Sequence, residues 1–173
     1  AFVLKDIRLR EGAAQTEVMA LAAQLAKGSL HPVSRALVRA AEEQIDLGGA
    51  PIAIPVRDVT EVAGQGVRAS AELAGAWQGV RLGSSAFCDV GQDARVRDAE
   101  AAAEGPVSHL SDSQGWLATF VFHEDLREDA RAVGEARRVL QRELEVLSQL
   151  PGRVRPHHDA VVRHFVGQPQ HVQ

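Results

Sequence analysis

Two short stretches combine side-chain and backbone chemistry suited to a flat heterocycle: Ser29-Leu30-His31-Pro32, and Gly64-Gln65-Gly66-Val67 further along the chain. His31 precedes a proline that fits the first turn of a helix, so its imidazole sits at a helix mouth, where it can stack on a purine or hydrogen-bond to one. The plain alternative is a histidine that only caps the helix. Gly64 and Gly66 have no Cβ, so the backbone there can take positive φ and let a ring or a ribose approach to contact distance. Read alone, a Gly-x-Gly is a turn or a bulge; the pairing with His-Pro is the stronger signal. Val in place of either glycine is expected to close such a site.

Other chemistries find less support. The chain has no GxxxxGK[ST], and Gly64-Gln65-Gly66 lacks the third glycine and the helix start of a dinucleotide fingerprint. No nucleophile elbow frames a serine, and Cys88 has no neighbouring base, which leaves it a packing role. His157, His158, His164 and His171 crowd the last residues but match no standard ligand spacing, so a solvated tail is expected and no metal site is assigned.

The elements that must carry these residues can be read from periodicity. After an extended start (2–9), Thr16 is placed to cap a helix with Val18, Leu21, Ala22 and Leu25 on its inner face, ended by Gly28. Pro32 starts a second helix that closes at Gly48-Gly49, giving a helical hairpin. Val67, Ala69, Ala71 and Leu73 then alternate with Arg68, Ser70 and Glu72, the repeat of a strand with one wet face. Gly75-Ala76 connects it to a partner strand (77–82). A polar helix (about 92–103), a strand at 107–110, the turn SDSQG and the apolar run WLATFVF (116–122) follow, the last reading as a strand buried on both faces. Asp125 and Glu128 have the spacing of a capping box, and the helix they open is predicted to end near Glu143. Asp and Glu at a helix start also suit the macrodipole, so this acidic cluster is taken as structural.

Composition narrows the function classes. A formal net charge of -4 and interleaved Arg, Asp and Glu argue against a nucleic-acid partner, which needs a concentrated basic surface. The longest apolar runs fall far short of the roughly 20 residues that span a bilayer. No secretory leader pattern opens the chain, and one cysteine excludes an internal disulfide, so a cytoplasmic setting is expected. Aromatics are only 4% and Tyr is absent, so the core must be built mainly from Ala, Val and Leu.

The order Ser29-Leu30-His31-Pro32, Gly64-Gln65-Gly66-Val67, Arg81-Leu82-Gly83 and FVFHEDLREDA (120–130) resembles the cytoplasmic nucleotide-binding domain of heavy-metal (copper or zinc class) P-type ATPases, over roughly residues 1–148. The resemblance implies an α+β fold, an antiparallel β-sheet flanked by helical hairpins, that holds ATP by its adenosine end, with Mg on the phosphates. It implies that His31 contacts the adenine, that Gly64 and Gly66 line the pocket, and that Val67 touches the ring. It implies too that Gly83 marks the loop nearest the ribose and phosphates, and that Ser84 after it belongs to the nucleotide-binding set. The phosphates then reach a separate phosphorylation domain, where an Asp in DKTGT becomes the acyl phosphate. The partners implied are that domain and the actuator domain of the parent transporter.

On this reading residues 1–115 form the ATP-binding domain. Residues 116–173 hold a strand and helix returning to a partial α/β phosphorylation domain, with an atypical tail. The 173 residues contain no DKTGT, and Ser148-Gln149-Leu150 stands where the family has Ser-Gly-Asp, so the chain is not expected to hydrolyse ATP alone. Ala26 replaces an adenine-reading Glu and Ser84 a frequent Asn; losing one such partner costs roughly 1 to 3 kcal/mol, so binding is expected to be weak. The alternative is a degenerate copy, no longer binding, that serves as a regulatory or interaction module. A phosphohydrolase of the haloacid-dehalogenase-like class lacks its paired Asp motif here.

Overall fold

The computed structural model describes residues 1–149. Its centre is one antiparallel six-stranded sheet in the order β1-β6-β5-β4-β3-β2. The strands are β1 (Phe2–Leu9), β2 (Val56–Val62), β3 (Gly66–Leu73), β4 (Ala76–Gly83), β5 (Val107–Asp112) and β6 (Gly115–Glu124). Helices α1 (Gln15–Ala26) and α2 (Pro32–Asp46) form the expected hairpin, and α3 (Ala94–Ala102) and α4 (Leu126–Ser148) complete the α+β fold.

The alternation read from β3 is what the sheet uses: Val67, Ala69 and Ala71 are buried while Arg68 faces solvent. Those inward residues meet Val18, Leu21, Leu25 and Leu37 of the hairpin in the main core, together with Val80, Leu82, Leu110, Phe120 and Phe122. Phe120 and Phe122 are fully buried, each worth about 1.5–3 kcal/mol of transfer free energy. A smaller second cluster joins Cys88, Val90, Val96 and Trp116. Ala74 and Gly75, both at positive φ, make the tight β3–β4 turn, a conformation that matches the strands' right-handed twist.

Several expectations need correction. Ala14, not Thr16, is the N-cap of α1, and it contributes no side-chain hydrogen bond; Thr16 already lies inside the first turn. Helix α4 runs on to Ser148 rather than ending near Glu143, because no glycine or proline interrupts Gln141–Ser148. Strand β2 has no counterpart in the periodicity. It is an edge strand, exposed along most of its length, and a register shift between Arg57 and Thr60, with Asp58 at φ 57°, breaks the two-residue repeat.

Strand β6, placed by sequence in a segment returning to a second domain, is hydrogen-bonded to β5 on one side and β1 on the other. It is the most buried strand and part of the compact unit Ala1–Ala130; a second unit comprises Arg131–Gln173. Among the described residues no helix is long and apolar enough to cross a membrane. The tail histidines lie outside the described residues.

Candidate functional site

The link between α1 and α2 is held by its own polar groups. Ser29 is buried; its Oγ accepts from the His31 N–H (3.2 Å) and donates to Glu61 Oε1 on β2 (2.7 Å). His31 is the N-cap of α2, with extended backbone and Pro32 in the first turn. Its Nδ1 accepts from the Val33 N–H at 3.2 Å, satisfying one donor left open at the helix start. A backbone N–H can only donate, so the neutral ring carries its proton on Nε2. That Nε2–H has no partner among the described residues.

Facing this link are the β2–β3 turn and the end of β4. Gln65 N–H donates to Val62 O (3.0 Å), closing a turn in which Gly64 takes φ 73°. Gly66 pairs with Gly83 across β3 and β4, and the two backbones are in direct contact. A Cβ on Gly66 would overlap the Leu82 carbonyl oxygen, and one on Gly83 the Gln65 carbonyl oxygen. At Gly64 a Cβ would meet nothing within 4 Å. The bareness of Gly66 is therefore required first by its neighbouring strand. Val there would force β3 and β4 apart before it could narrow a site, so the simple expectation that it merely closes a pocket is revised.

These walls enclose a cavity of about 220 Å³. His31, Gly64, Gly66, Val67, Gly83 and Ser84 all line it, so the fold gathers every candidate residue at one place. Ser84 is partly engaged: its N–H donates to Gln65 O (3.1 Å) and its Oγ accepts from Phe87 N–H (3.2 Å), which leaves the hydroxyl proton to donate. Ser29, quoted from sequence only as part of the His31 motif, also lines the cavity, as do Glu61 and Ser108, which were not singled out. No Lys or Arg does. Ala26 is fully buried in the hairpin core and outside this lining, so Glu at that position would have to be accommodated in an apolar setting.

A larger crevice of about 710 Å³ lies between α1, α2 and residues 49–53, with Met19, Ala23, Val38, Ile45 and Ile52 in its walls. None of the six candidate residues lines it. The smaller cavity is the better candidate because there a ring nitrogen and a carboxylate converge on bare backbone.

On the α3 side of the sheet the polar groups are internally satisfied. His109 is fully buried, its Nδ1 2.8 Å from Thr119 Oγ1 and its Nε2 2.9 Å from Glu100 Oε1. Trp116 Nε1–H donates to Thr119 Oγ1 at 2.8 Å. Burial pushes the Cys88 thiol up to about 11, and its Sγ–H is directed at the carbonyls of Arg81 and His109. Cys88 is thus an inert thiol. Among the described residues no three His, Cys, Asp or Glu groups could hold a metal ion.

The architecture is that of a known class: the α+β N-domain fold of copper- and zinc-transporting P-type ATPases. It is shared with the N-domain of HMA8, a copper-transporting P-type ATPase (21% identity, TM-score 0.52), over 69% of this chain and 98% of that one. The N-domain of HMA6, also from a copper-transporting P-type ATPase, matches at 20% identity and TM-score 0.53, over 70% of this chain and 98% of that one. A zinc-transporting PIB-type ATPase in its E2.Pi state matches at 22% identity and TM-score 0.56; 80% of this chain aligns with 22% of that transporter's length. No protein-family model and no curated protein matches the chain.

Proposed function

We propose that the unit Ala1–Ala130 is the ATP-binding domain of a heavy-metal-translocating P-type ATPase, holding the adenosine end of ATP at the cytoplasmic face of the membrane. The observation that carries this reading is the convergence of His31, Gly64, Gly66, Val67, Gly83 and Ser84 on one cavity within this fold. His31 offers its ring and Nε2–H to the base, Val67 an apolar contact, and the backbone at Gly64 and Gly66 a surface without side chains.

The shape and charge of the cavity suit the base rather than the whole nucleotide. About 220 Å³ is below the ~300 Å³ at the small end of ligand pockets, so a bound base leaves the sugar and phosphates at or beyond the mouth. With no Lys or Arg in the lining and Glu61 present, no cationic side chain there attracts phosphate. The triphosphate, with Mg on its oxygens, then extends toward the phosphorylation domain of the parent transporter, where an aspartate would receive the γ-phosphoryl group. The actuator domain is the other partner of that cycle. These 173 residues supply binding and presentation; no DKTGT aspartate is among them.

The second reading, a degenerate copy acting as a regulatory module, is favoured by one observation: Ala26, where the resemblance expects an adenine-reading Glu, lies outside the lining. Titration with ATP followed by backbone amide chemical shifts separates the two. Binding moves the signals of residues 29–34, 62–67 and 83–84, and His31→Ala abolishes the movement. A flat response from the folded wild-type protein overturns ATP binding and leaves the regulatory reading.

A further inference from the structure

We infer that Glu61 is the base-discriminating residue of this cavity, selecting a purine with an amino group at C6 over one with a carbonyl there. The inference rests on the nucleotide reading above and adds a residue to it. Glu61 is opposite Val67 in the β2–β3 register, which puts the two side chains on the same, helix-facing side of the sheet. Ser29 Oγ–H, itself fixed by the His31 N–H, donates to Oε1 at 2.7 Å and so holds the carboxylate at the cavity wall. Oε2 has no partner among the described residues, and no Lys or Arg lines the cavity to compete for it.

The cavity therefore presents, among its polar groups, an unspent carboxylate oxygen and an unspent ring N–H of opposite sense. An ionised carboxylate only accepts, and His31 Nε2–H donates. Adenine offers the complementary pair, an N6 amino donor close to ring-nitrogen acceptors. In the same pose a 6-oxopurine turns the lone pairs of its O6 toward the carboxylate and puts an N1–H where adenine has an acceptor, the kind of mismatch that discriminates strongly between analogues. The resemblance expects an acidic reader at position 26, but Ala26 is buried in the hairpin core. Glu61 brings the same functional group to the cavity from the sheet instead of the helix.

The test uses the full chain with ATP and ITP, which differ at C6 (amino group against carbonyl) and at N1 (acceptor against N–H), and reads both affinities by amide chemical-shift titration. Wild-type protein is expected to bind ATP at least about tenfold more tightly than ITP, the scale of one charge-assisted hydrogen bond. In Glu61→Gln the amide can turn its NH₂ toward O6, so the ATP-to-ITP ratio is expected to fall to within about threefold, with ITP binding retained. Ser29→Ala, which frees the carboxylate without removing it, is expected to narrow the ratio by less. Glu61 is exposed on an edge strand, and a far-UV circular dichroism spectrum matching wild type verifies the fold of each variant. Equal affinities in wild type, or a ratio unchanged in Glu61→Gln, overturn the assignment of Glu61 while leaving nucleotide binding in place. No response to either nucleotide overturns the functional reading, and the assignment with it.

Discussion

Each side of the sheet has a histidine, His31 at the start of α2 and His109 on β5, and the two differ in how much of their hydrogen-bonding capacity the fold uses. His109 has both ring nitrogens engaged, to Glu100 and Thr119, and no exposed surface. His31 has one nitrogen committed to capping α2 and the other available at a cavity. Residue type does not tell them apart; remaining hydrogen-bonding capacity does. On the α3 side His109, Thr119, Trp116 and Glu100 satisfy one another inside the fold, whereas on the hairpin side Glu61 and His31 each keep one polar atom without a partner among the described residues.

The sharpest way to break the comparison is through the floor of the cavity. Gly66→Val should destabilise the protein by on the order of 4 kcal/mol, because the new side chain meets the β4 backbone, which cannot swing away as a flexible side chain would. Chemical denaturation would show it, and a change well under 1 kcal/mol would mean that β3 and β4 are not pressed together as described.

Next come the histidines as a pair. His109→Ala is expected to cost about 3 kcal/mol, from the cavity left behind and the partners lost by Glu100 and Thr119. His31→Ala should cost only about 1 kcal/mol, the value of a cap, while removing the ATP-induced shifts. Equal costs in parallel urea titrations would erase the distinction between the faces.

The smallest effect concerns Asp112, which Arg10 grips through both carboxylate oxygens at 2.9 and 2.7 Å. Burial pulls its pKa up, but hydrogen bonds from Arg10 and the Gln114 N–H, with the charge of Arg10, outweigh it and hold the carboxyl below its ordinary value of 3.8. A depressed folded pKa gives stability that is present above pH 3.8 and is lost as pH falls through the lower, folded value. Urea midpoints from pH 6 to pH 2 should therefore drop less steeply in Asp112→Asn than in wild type. Parallel curves would remove this pair from the acid response.

What could be read from the residues alone follows the same logic of local and non-local causes. Helix α2 was legible because Pro32 and Gly48-Gly49 punctuate it, and β3 because Val67, Ala69 and Ala71 alternate cleanly. Strand β2 was not, since an edge strand with a bulge has little burial to pattern. The first cap was misplaced because Ala14 does without a side-chain bond, a choice no propensity favours. Five of the six site residues belong to the two motifs or the β4 end that follows them, so their gathering needed only the correct sheet order. Glu61 went unnoticed because its place at the cavity depends on the β2–β3 register and on a hydrogen bond across 32 positions of chain. A carboxylate three residues before a Gly-x-Gly turn was the one available hint.

The pairing of β1 with β6 leaves the first and last strands of the compact unit side by side, and the Asp125 N–H donates to the Ala1 carbonyl oxygen at 2.8 Å. Entry and exit thus share a doorway about one strand spacing wide, roughly 5 Å. A linker of only a few residues would therefore join the two ends without pulling either strand from the sheet.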